Sequence, residues 1–410
     1  MRKFLIIGYG VTTKPLVAFL NTQNIGCEIY DDKFQEVIQE DKNLFLPACN
    51  FKDTKTELTI TSPGIPPYHP LIVKAKNLIS EYDFFYDLLK ERPLSVWISG
   101  TNGKTTTTQM LEFLLKDKGA KSGGNIGYPL TELYLQKAPI WILETSSFML
   151  HYTKRAIPDI YVLLPIREDH ISWHGSFDEY ITAKLTPLKR MQEHHIALIP
   201  QELANHKICK NAKAKIIFYT SSQALAEQMD IDIQNLVFKE PFLLDSLLAL
   251  SVEKILFKNA SIQLLNKFSI GEHRIEEFYD SQKRLWVDDS KGTNVDATCE
   301  AIKRYKDSKI LLILGGDDKG ANQEPIFELI KNLDIKIFLI GSNADKLENL
   351  AKQYNIQYHK SMELKNAVSI IKQERSHKDV ALLSPAAASL DQFESYKQRG
   401  EIFQQLALQV

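Results

Sequence analysis

The stretch WISGTNGKTTTTQM, Trp97–Met110, limits what this chain can become more than any other. An apolar run ends in a serine and a glycine, a second glycine follows at 103, and Lys-Thr-Thr leads into a helical pattern over Gln109–Lys116. Strand, glycine turn, lysine and helix is the context of a phosphate-binding loop. Glycines let backbone N–H groups approach phosphate oxygens, and the helix N-terminus adds partial positive charge. In that reading Lys104 meets the β- and γ-phosphates of a nucleotide, and the Thr105 hydroxyl faces Mg²⁺. The spacing departs from GxxxxGK[ST], because the first glycine would fall at residue 98, which is Ile98. A chain built around such a loop is expected to be α/β, with parallel sheets and chemistry at their C-terminal edges.

The rest of the sequence keeps that rhythm. Strands are expected at Phe4–Ile7, Val96–Ser99, Trp141–Leu143, Tyr161–Leu164, Ile310–Leu314, Ile337–Ile340 and Val380–Leu383. With 410 residues and about 150 per domain, two or three domains are expected. Breaks at KERPLS (Lys90–Ser95) and NKFSIGEHR (Asn266–Arg274) suggest three: 1–93, 94–272 and 273–410. The expected architecture is a Rossmann-like N-terminal domain, a central mononucleotide-binding domain with the phosphate loop, and a Rossmann-like C-terminal domain. A net charge of −1 supplies no basic footprint for nucleic acid. The four cysteines, at 27, 49, 209 and 299, form no CxxC and are too sparse for a disulfide framework. The first apolar run breaks at Gly8, too early for a signal segment, and no run reaches the length of a membrane span. A cytoplasmic protein, with no nucleic-acid or membrane partner and monomeric, is the expectation.

Two further segments carry polar chemistry at strand ends. PIWILETSSFML places Glu144 after an apolar strand, where a carboxylate beside a phosphate loop suits a metal. REDHISWHGSFDEYITAKL, Arg167–Leu185, holds Asp169, His170 and His174 after another strand. Ser176 and Glu179 read as a capping box. Phe177, Ile181, Lys184 and Leu188 then fall on one stripe, which turns Lys184 toward the core, unless it snorkels out. Pro187 is placed to kink that helix.

These segments resemble the Mur ligases, the ATP-dependent amide-forming family of peptidoglycan synthesis. GTNGKTT (Gly100–Thr106), GNIGYP (Gly124–Pro129), ETSSF (Glu144–Phe148) and EDHISWHGSFDEYITAK (Glu168–Lys184) resemble four family blocks. DDSKGTNVDAT (Asp288–Thr298), LGGDDKG (Leu314–Gly320) and LLSPAAASLDQFESYKQRGEIF (Leu382–Phe403) resemble the members that add D-glutamate. The likeness spans nearly the whole chain. Departures are Ser172 where Asp is usual, Met149 for Gln, Pro165 for Asn, and Asp245 where Asn is usual near the adenine.

The resemblance implies three substrates: ATP, UDP-N-acetylmuramoyl-L-alanine and D-glutamate. It implies that Gly100, Thr101, Asn102, Gly103, Lys104, Thr105, Thr106, Arg274 and Asp289 contact ATP. Thr105 and Glu144 would hold one Mg²⁺; Glu144, His170 and a carbamylated Lys184 would surround a second. Lys104, Glu144, His170 and Lys184 are thus the catalytic set. Val11, Thr12, Asp31, Ser62, Pro63, Gly64 and Asn125 would meet the sugar nucleotide, although Asn125 equally suits an ordinary turn. Tyr180 could orient the carbamate or be core. Lys291, Thr293, Lys319, Ser389 and Tyr396 would surround D-glutamate. The GYG at Gly8–Gly10 with Asp31 downstream also fits a dinucleotide site, but Thr13 stands at the third glycine. Another amino-acid-adding family member, or a folylpolyglutamate synthase-like ligase, is the nearest alternative. A nucleotide switch protein is disfavoured by the absence of an NKxD base motif.

Overall fold

The computed structural model describes residues 4–52 and 58–409. They form a mixed α/β structure with three six-stranded sheets. The first sheet holds β1 (Phe4–Ile7), β2 (Cys27–Asp31), β3 (Ile38–Glu40), β4 (Asn43–Pro47), β5 (Thr59–Thr61) and β6 (Leu78–Ile79), in the order β3-β4-β2-β1-β5-β6. The second holds β7 (Leu94–Ser99), β8 (Ala120–Gly124), β9 (Ile140–Glu144), β10 (Ile160–Leu163), β11 (Ile196–Pro200) and β12 (Lys215–Tyr219), in the order β12-β11-β10-β7-β9-β8, parallel throughout. The third holds β13 (Glu276–Tyr279), β14 (Leu285–Asp288), β15 (Ile310–Gly315), β16 (Ile335–Ile340), β17 (Gln357–Met362) and β18 (Val380–Leu383), in the order β13-β14-β18-β15-β16-β17. Among the described residues its only antiparallel pair is β13 with β14.

The chain packs as two compact units, 1–268 and 269–410. The first contains two of the sheets because a single apolar core runs through both. Ile6, Ile29 and Phe85 belong to the same buried cluster as Trp97, Trp141 and Tyr161. The edge of Tyr82 meets Trp97 with centroids 5.1 Å apart, and the Trp97 indole donates to the Tyr86 hydroxyl at 3.1 Å. Thus the polar segment Lys90–Ser95 interrupts the sequence but not the packing.

β7 is buried from Ser95 to Ser99, as expected for a central parallel strand covered on both faces. It delivers the chain to the helix Lys104–Leu115, which packs against the long apolar helix Phe242–Phe257. No helix among the described residues is long and apolar enough to cross a membrane.

The helix after the histidine turn corrects one expectation. Lys184 and Leu188 are buried, but Phe177 is 37% exposed. Phe177 opens the helix directly after its Ser176 cap, whose hydroxyl accepts from Glu179 N, and its ring lies over Tyr180 rather than in the core. The α-helix also stops at Leu185. Pro187 lies in the 3₁₀ turn Thr186–Lys189 that follows, so Leu188 is buried from a different helical period.

Candidate active site

In parallel sheets the strand C-termini open along one edge, and the first unit collects its polar residues there. The loop after β7 is forced to be glycine-rich. Gly103 has φ +79°, and a Cβ on it would lie 2.4 Å from Asp245 Oδ1. A Cβ on Gly100 would lie 2.5 Å from Leu164 Cβ, in the chain leaving β10. Lys104 curls back over this loop, its Nζ donating to Gly100 O at 2.9 Å and Thr101 O at 2.7 Å. The Thr101 hydroxyl ties the loop to the next strand end, bonding Arg167 O, Arg167 N and the Tyr180 hydroxyl. Asn102 lies half-buried on the loop, and Thr106 is buried under it.

Glu144, at the end of β9, is almost fully buried. Its two oxygens are held by neutral donors: Thr105 Oγ1 on Oε2 at 2.8 Å and Asn125 Nδ2 on Oε1 at 2.9 Å. Strand pairing sets Gly124 opposite Glu144, which is what brings Asn125 within reach. A buried carboxylate costs several kcal/mol unless a cation or strong donors compensate it. Both Glu144 oxygens are met by neutral donors, and a carboxylate in this position offers hard oxygens of the kind a divalent cation binds.

Lys184 is buried to 1% exposure, behind the same loop. Its Nζ donates to Gly100 O at 2.8 Å and Ser99 Oγ at 3.3 Å, and it stands 4.7 Å from the centre of the Tyr180 ring. Ser99 Oγ itself donates to Thr145 O, so its lone pairs face the amine. Burial, then the positive charge of Lys104, hold the Lys184 pKa well below the ordinary lysine value; Asp169 and Glu144 oppose this. The amine therefore does not snorkel. Its helix is anchored by the Tyr161 hydroxyl, which donates to Lys184 O at 2.5 Å.

His170 sits in the left-handed region, φ +54°, at the start of the short helix Ile171–His174. Its ring is half-exposed, 3.4 Å from Asp169 Oδ2, and packs edge-on against Phe148. Lys184 and His170 flank Tyr180 from two elements, but the amine is bonded to the loop rather than to the histidine. His174 is within 2.9 Å of Ser147 Oγ; burial, and then His151, His170 and Lys184, push its pKa down to about 4, so it is neutral near pH 7.

On the first sheet, Tyr9 N donates to Asp31 Oδ2 at 2.6 Å, and Lys33 sits 3.6 Å from the same carboxylate. Thr13 takes the place of a third glycine by closing the turn itself: its hydroxyl donates to Gly8 O at 2.6 Å and accepts from Gly10 N at 3.0 Å. Val11 is 92% exposed at the tip, beside Thr12. Ser62, Pro63 and Gly64 adjoin this turn, since a Cβ on Gly8 would lie 2.8 Å from Ser62 Cβ.

In the second unit, Asp289 follows β14 and is buried. It accepts from Ser384 Oγ at 2.6 Å and Ile275 N at 3.3 Å, and burial pushes its pKa up to about 7 despite the Ser384 bond. Arg274, half-buried, lies near enough to oppose that rise. The Lys291 ammonium lies 3.8 Å over the Tyr396 ring, and Thr293 follows in the same turn. Lys319, φ +49°, sits in the loop after β15, whose Asp317 bridges to Ala388 beside the buried Ser389. The nearby His273, Glu276 and Asp288 also converge, but the Gln404 amide donates to both carboxylates and completes a closed hydrogen-bond set.

One residue that no local pattern marked organises this edge. Arg399 is buried and donates to Ser290 Oγ, Ser290 O, Ala387 O and Ala388 O. It thereby clamps the Lys291 turn to the Ser389 turn. Arg399→Met is expected to lower stability by about 2–4 kcal/mol, because several buried acceptors lose their donor. Urea unfolding at unchanged m-value is the measurement, and a change below about 1 kcal/mol would contradict the clamp.

Residues 98–270 match the Mur ligase middle domain. UDP-N-acetylmuramoylalanine–D-glutamate ligase of Campylobacter jejuni is 49% identical over 404 residues, 98% of each chain. The enzyme of that name from Helicobacter pylori is 46% identical over 419 residues, 99% of each. Among solved structures, MurF ligase from Thermotoga maritima in complex with ADP superposes with a TM-score of 0.59 at 18% identity, covering 85% of this chain and 88% of its own. Identity at that level along both full lengths, on the same multi-domain fold, settles the family: this chain belongs to the Mur ligases, in their UDP-N-acetylmuramoylalanine–D-glutamate ligase branch.

Proposed function

We propose that this chain joins D-glutamate to UDP-N-acetylmuramoyl-L-alanine, with ATP, in peptidoglycan synthesis. The observation that carries the reading is the convergence of Lys104, Thr105, Asn125, Glu144 and the buried Lys184 on one glycine loop, in a chain nearly half identical to ligases of that name. A carboxylate is a poor electrophile, so its oxygen first attacks the γ-phosphorus of ATP, giving an acyl phosphate and ADP. The D-glutamate amine then attacks the acyl carbon, phosphate leaves, and the nitrogen loses a proton to give the amide. Catalysis of the first step is mainly positioning and charge neutralisation.

Lys104 supplies one charge at the γ-phosphoryl group; to do so it leaves the loop carbonyls that it binds here. Thr105 and Glu144 would offer hard oxygens to one Mg²⁺; Glu144 and a carbamate on Lys184 would offer oxygens, and His170 an imidazole nitrogen, to a second. When bound, such ions neutralise phosphate charge. A neutral amine has two N–H groups, and Gly100 O and Ser99 Oγ use both. The lone pair is left to attack CO₂: the N–C bond forms, one proton leaves, and the side chain becomes an anion. The turn at Tyr9–Thr13, Asp31 and the Ser62–Gly64 loop are assigned to the sugar nucleotide. Lys319 and Ser389, with Lys291, Thr293 and Tyr396 nearby, are assigned to the D-glutamate carboxylates.

The test is phosphate release with UDP-N-acetylmuramoyl-L-alanine and a panel of D-Glu, L-Glu, meso-diaminopimelate, L-Lys and L-Ala. Turnover is expected with D-Glu alone. Equal turnover with L-Glu would overturn the assignment of the C-terminal unit. Lys319→Ala is expected to raise the KM for D-Glu about tenfold or more, as for a lost charge-assisted bond, with the KM for ATP little changed. The reverse pattern would move Lys319 to the nucleotide.

A further inference from the structure

Trp173 lies on the short helix that begins at His170, and nothing in the chemistry above uses it. Its indole is almost buried and packs against His174 at 4.4 Å, Phe148 at 4.5 Å, His151 at 5.2 Å and Tyr152 at 5.9 Å between centroids. Its Nε1–H points out of that cluster to Gly64 O at 3.4 Å. Tyr152, on the helix Ser147–Tyr152 that follows Glu144, donates its hydroxyl to Ile65 O at 2.6 Å. Two donors from two different strand ends of the second sheet therefore hold two consecutive carbonyls of one loop on the first sheet. Trp173 and Tyr152 also share a buried cluster with Leu5, Ile7 and Leu71, which support that loop from below. Ser62 N, at the start of the loop, is bonded to Ile7 O, so the loop is tied on both sides.

We infer that Trp173 and Tyr152 are positioning residues, which lock the Ser62–Ile65 loop to the His170 turn and to the helix after Glu144, and so set where the bound sugar nucleotide lies relative to the phosphate loop. The inference rests on the assignment of Ser62–Gly64 to the sugar nucleotide. It needs the two donors, not merely the two rings, because packing alone would not fix the loop along its own direction.

Trp173→Phe and Tyr152→Phe each delete one donor and keep an aromatic ring. Each is expected to raise the KM for UDP-N-acetylmuramoyl-L-alanine about 5- to 10-fold, as for one lost hydrogen bond, while the KM values for ATP and D-Glu stay within about twofold. A second readout is optical. Trp97, Trp141 and Trp286 are fully buried in strands, leaving Trp173 as the indole beside the loop. Adding the sugar nucleotide to wild type is expected to change tryptophan emission, and Trp173→Phe to remove that change while calorimetry still detects weaker binding. Unchanged KM values in both variants, or parallel rises for all three substrates with a lowered Tm, would overturn the inference. Wild-type enzyme that binds no UDP-sugar by calorimetry would instead sink the assignment of the loop, and the inference with it.

Discussion

Lys184→Met is expected to lose synthesis by at least about 10²–10³-fold, the cost of deleting one preorganised electrostatic group, while retaining sugar-nucleotide binding on the first sheet. Methionine keeps the volume, so the core need not collapse. Bicarbonate added to CO₂-depleted wild type should restore activity, and should do nothing for the variant. Near-wild-type turnover by Lys184→Met would end the carbamate reading. The same variant has a second, opposite signature. Burial holds the pKa of the Lys184 amine in the folded chain well below the ordinary lysine value of about 10.4. Between the lowered value and the ordinary one, the unfolded chain binds one more proton at this site. Stability then rises with pH and falls as the solution is acidified through that window. In CO₂-depleted buffer the wild type should therefore show a steeper gain in Tm with pH than Lys184→Met. Equal slopes would mean that the amine is charged in the folded state.

The other large effect is expected at Lys104. Its ammonium rests on Gly100 O and Thr101 O, a half-exposed site where water can replace it. Lys104→Ala should therefore fold normally and keep its Tm within a few degrees. Turnover should fall about 10²–10³-fold, because charge developing on the transferred phosphoryl group loses its fixed cation. Lys104→Arg should rescue little, since a planar guanidinium cannot occupy the place of a compact ammonium inside the loop. Single-turnover phosphate release separates this from weakened binding; retention of more than a few per cent of the rate would remove Lys104 from the phosphate site.

Whether a residue's role was legible depended on how far away its partner stood. The turn holding Lys104 and Thr105 was legible because glycine turn, strand and helix are contiguous, although the helix begins at Lys104 rather than at Gln109. Glu144 read as a strand-end carboxylate for the same reason. Asn125 stayed ambiguous because what distinguishes it from a turn residue is the bond to Glu144, and that depends on β8 and β9 pairing with Gly124 opposite Glu144. Phe177 was placed on the inward stripe because helical spacing knows the face of a helix but not where its neighbour ends. The polar break at Lys90–Ser95 is real in composition, yet Tyr82 and Tyr86 carry the apolar core across it to Trp97.

By itself, the order of residues determined the α/β rhythm, the glycine turn between β7 and its helix, and the polar strand ends, since each depends on neighbours within a turn or a strand, where covalent geometry and side-chain period decide. It also determined the family, through blocks long enough to be specific. Only the tertiary structure decided that Lys184 is sealed behind Gly100, that Arg399 clamps two turns of the third sheet, and that Trp173 and Tyr152 reach the carbonyls of Gly64 and Ile65. Those facts depend on elements that are distant along the chain and are brought together by sheet register and core packing. No spacing rule connects such residues, because the free energy that joins them is released only when the sheets bury their apolar faces.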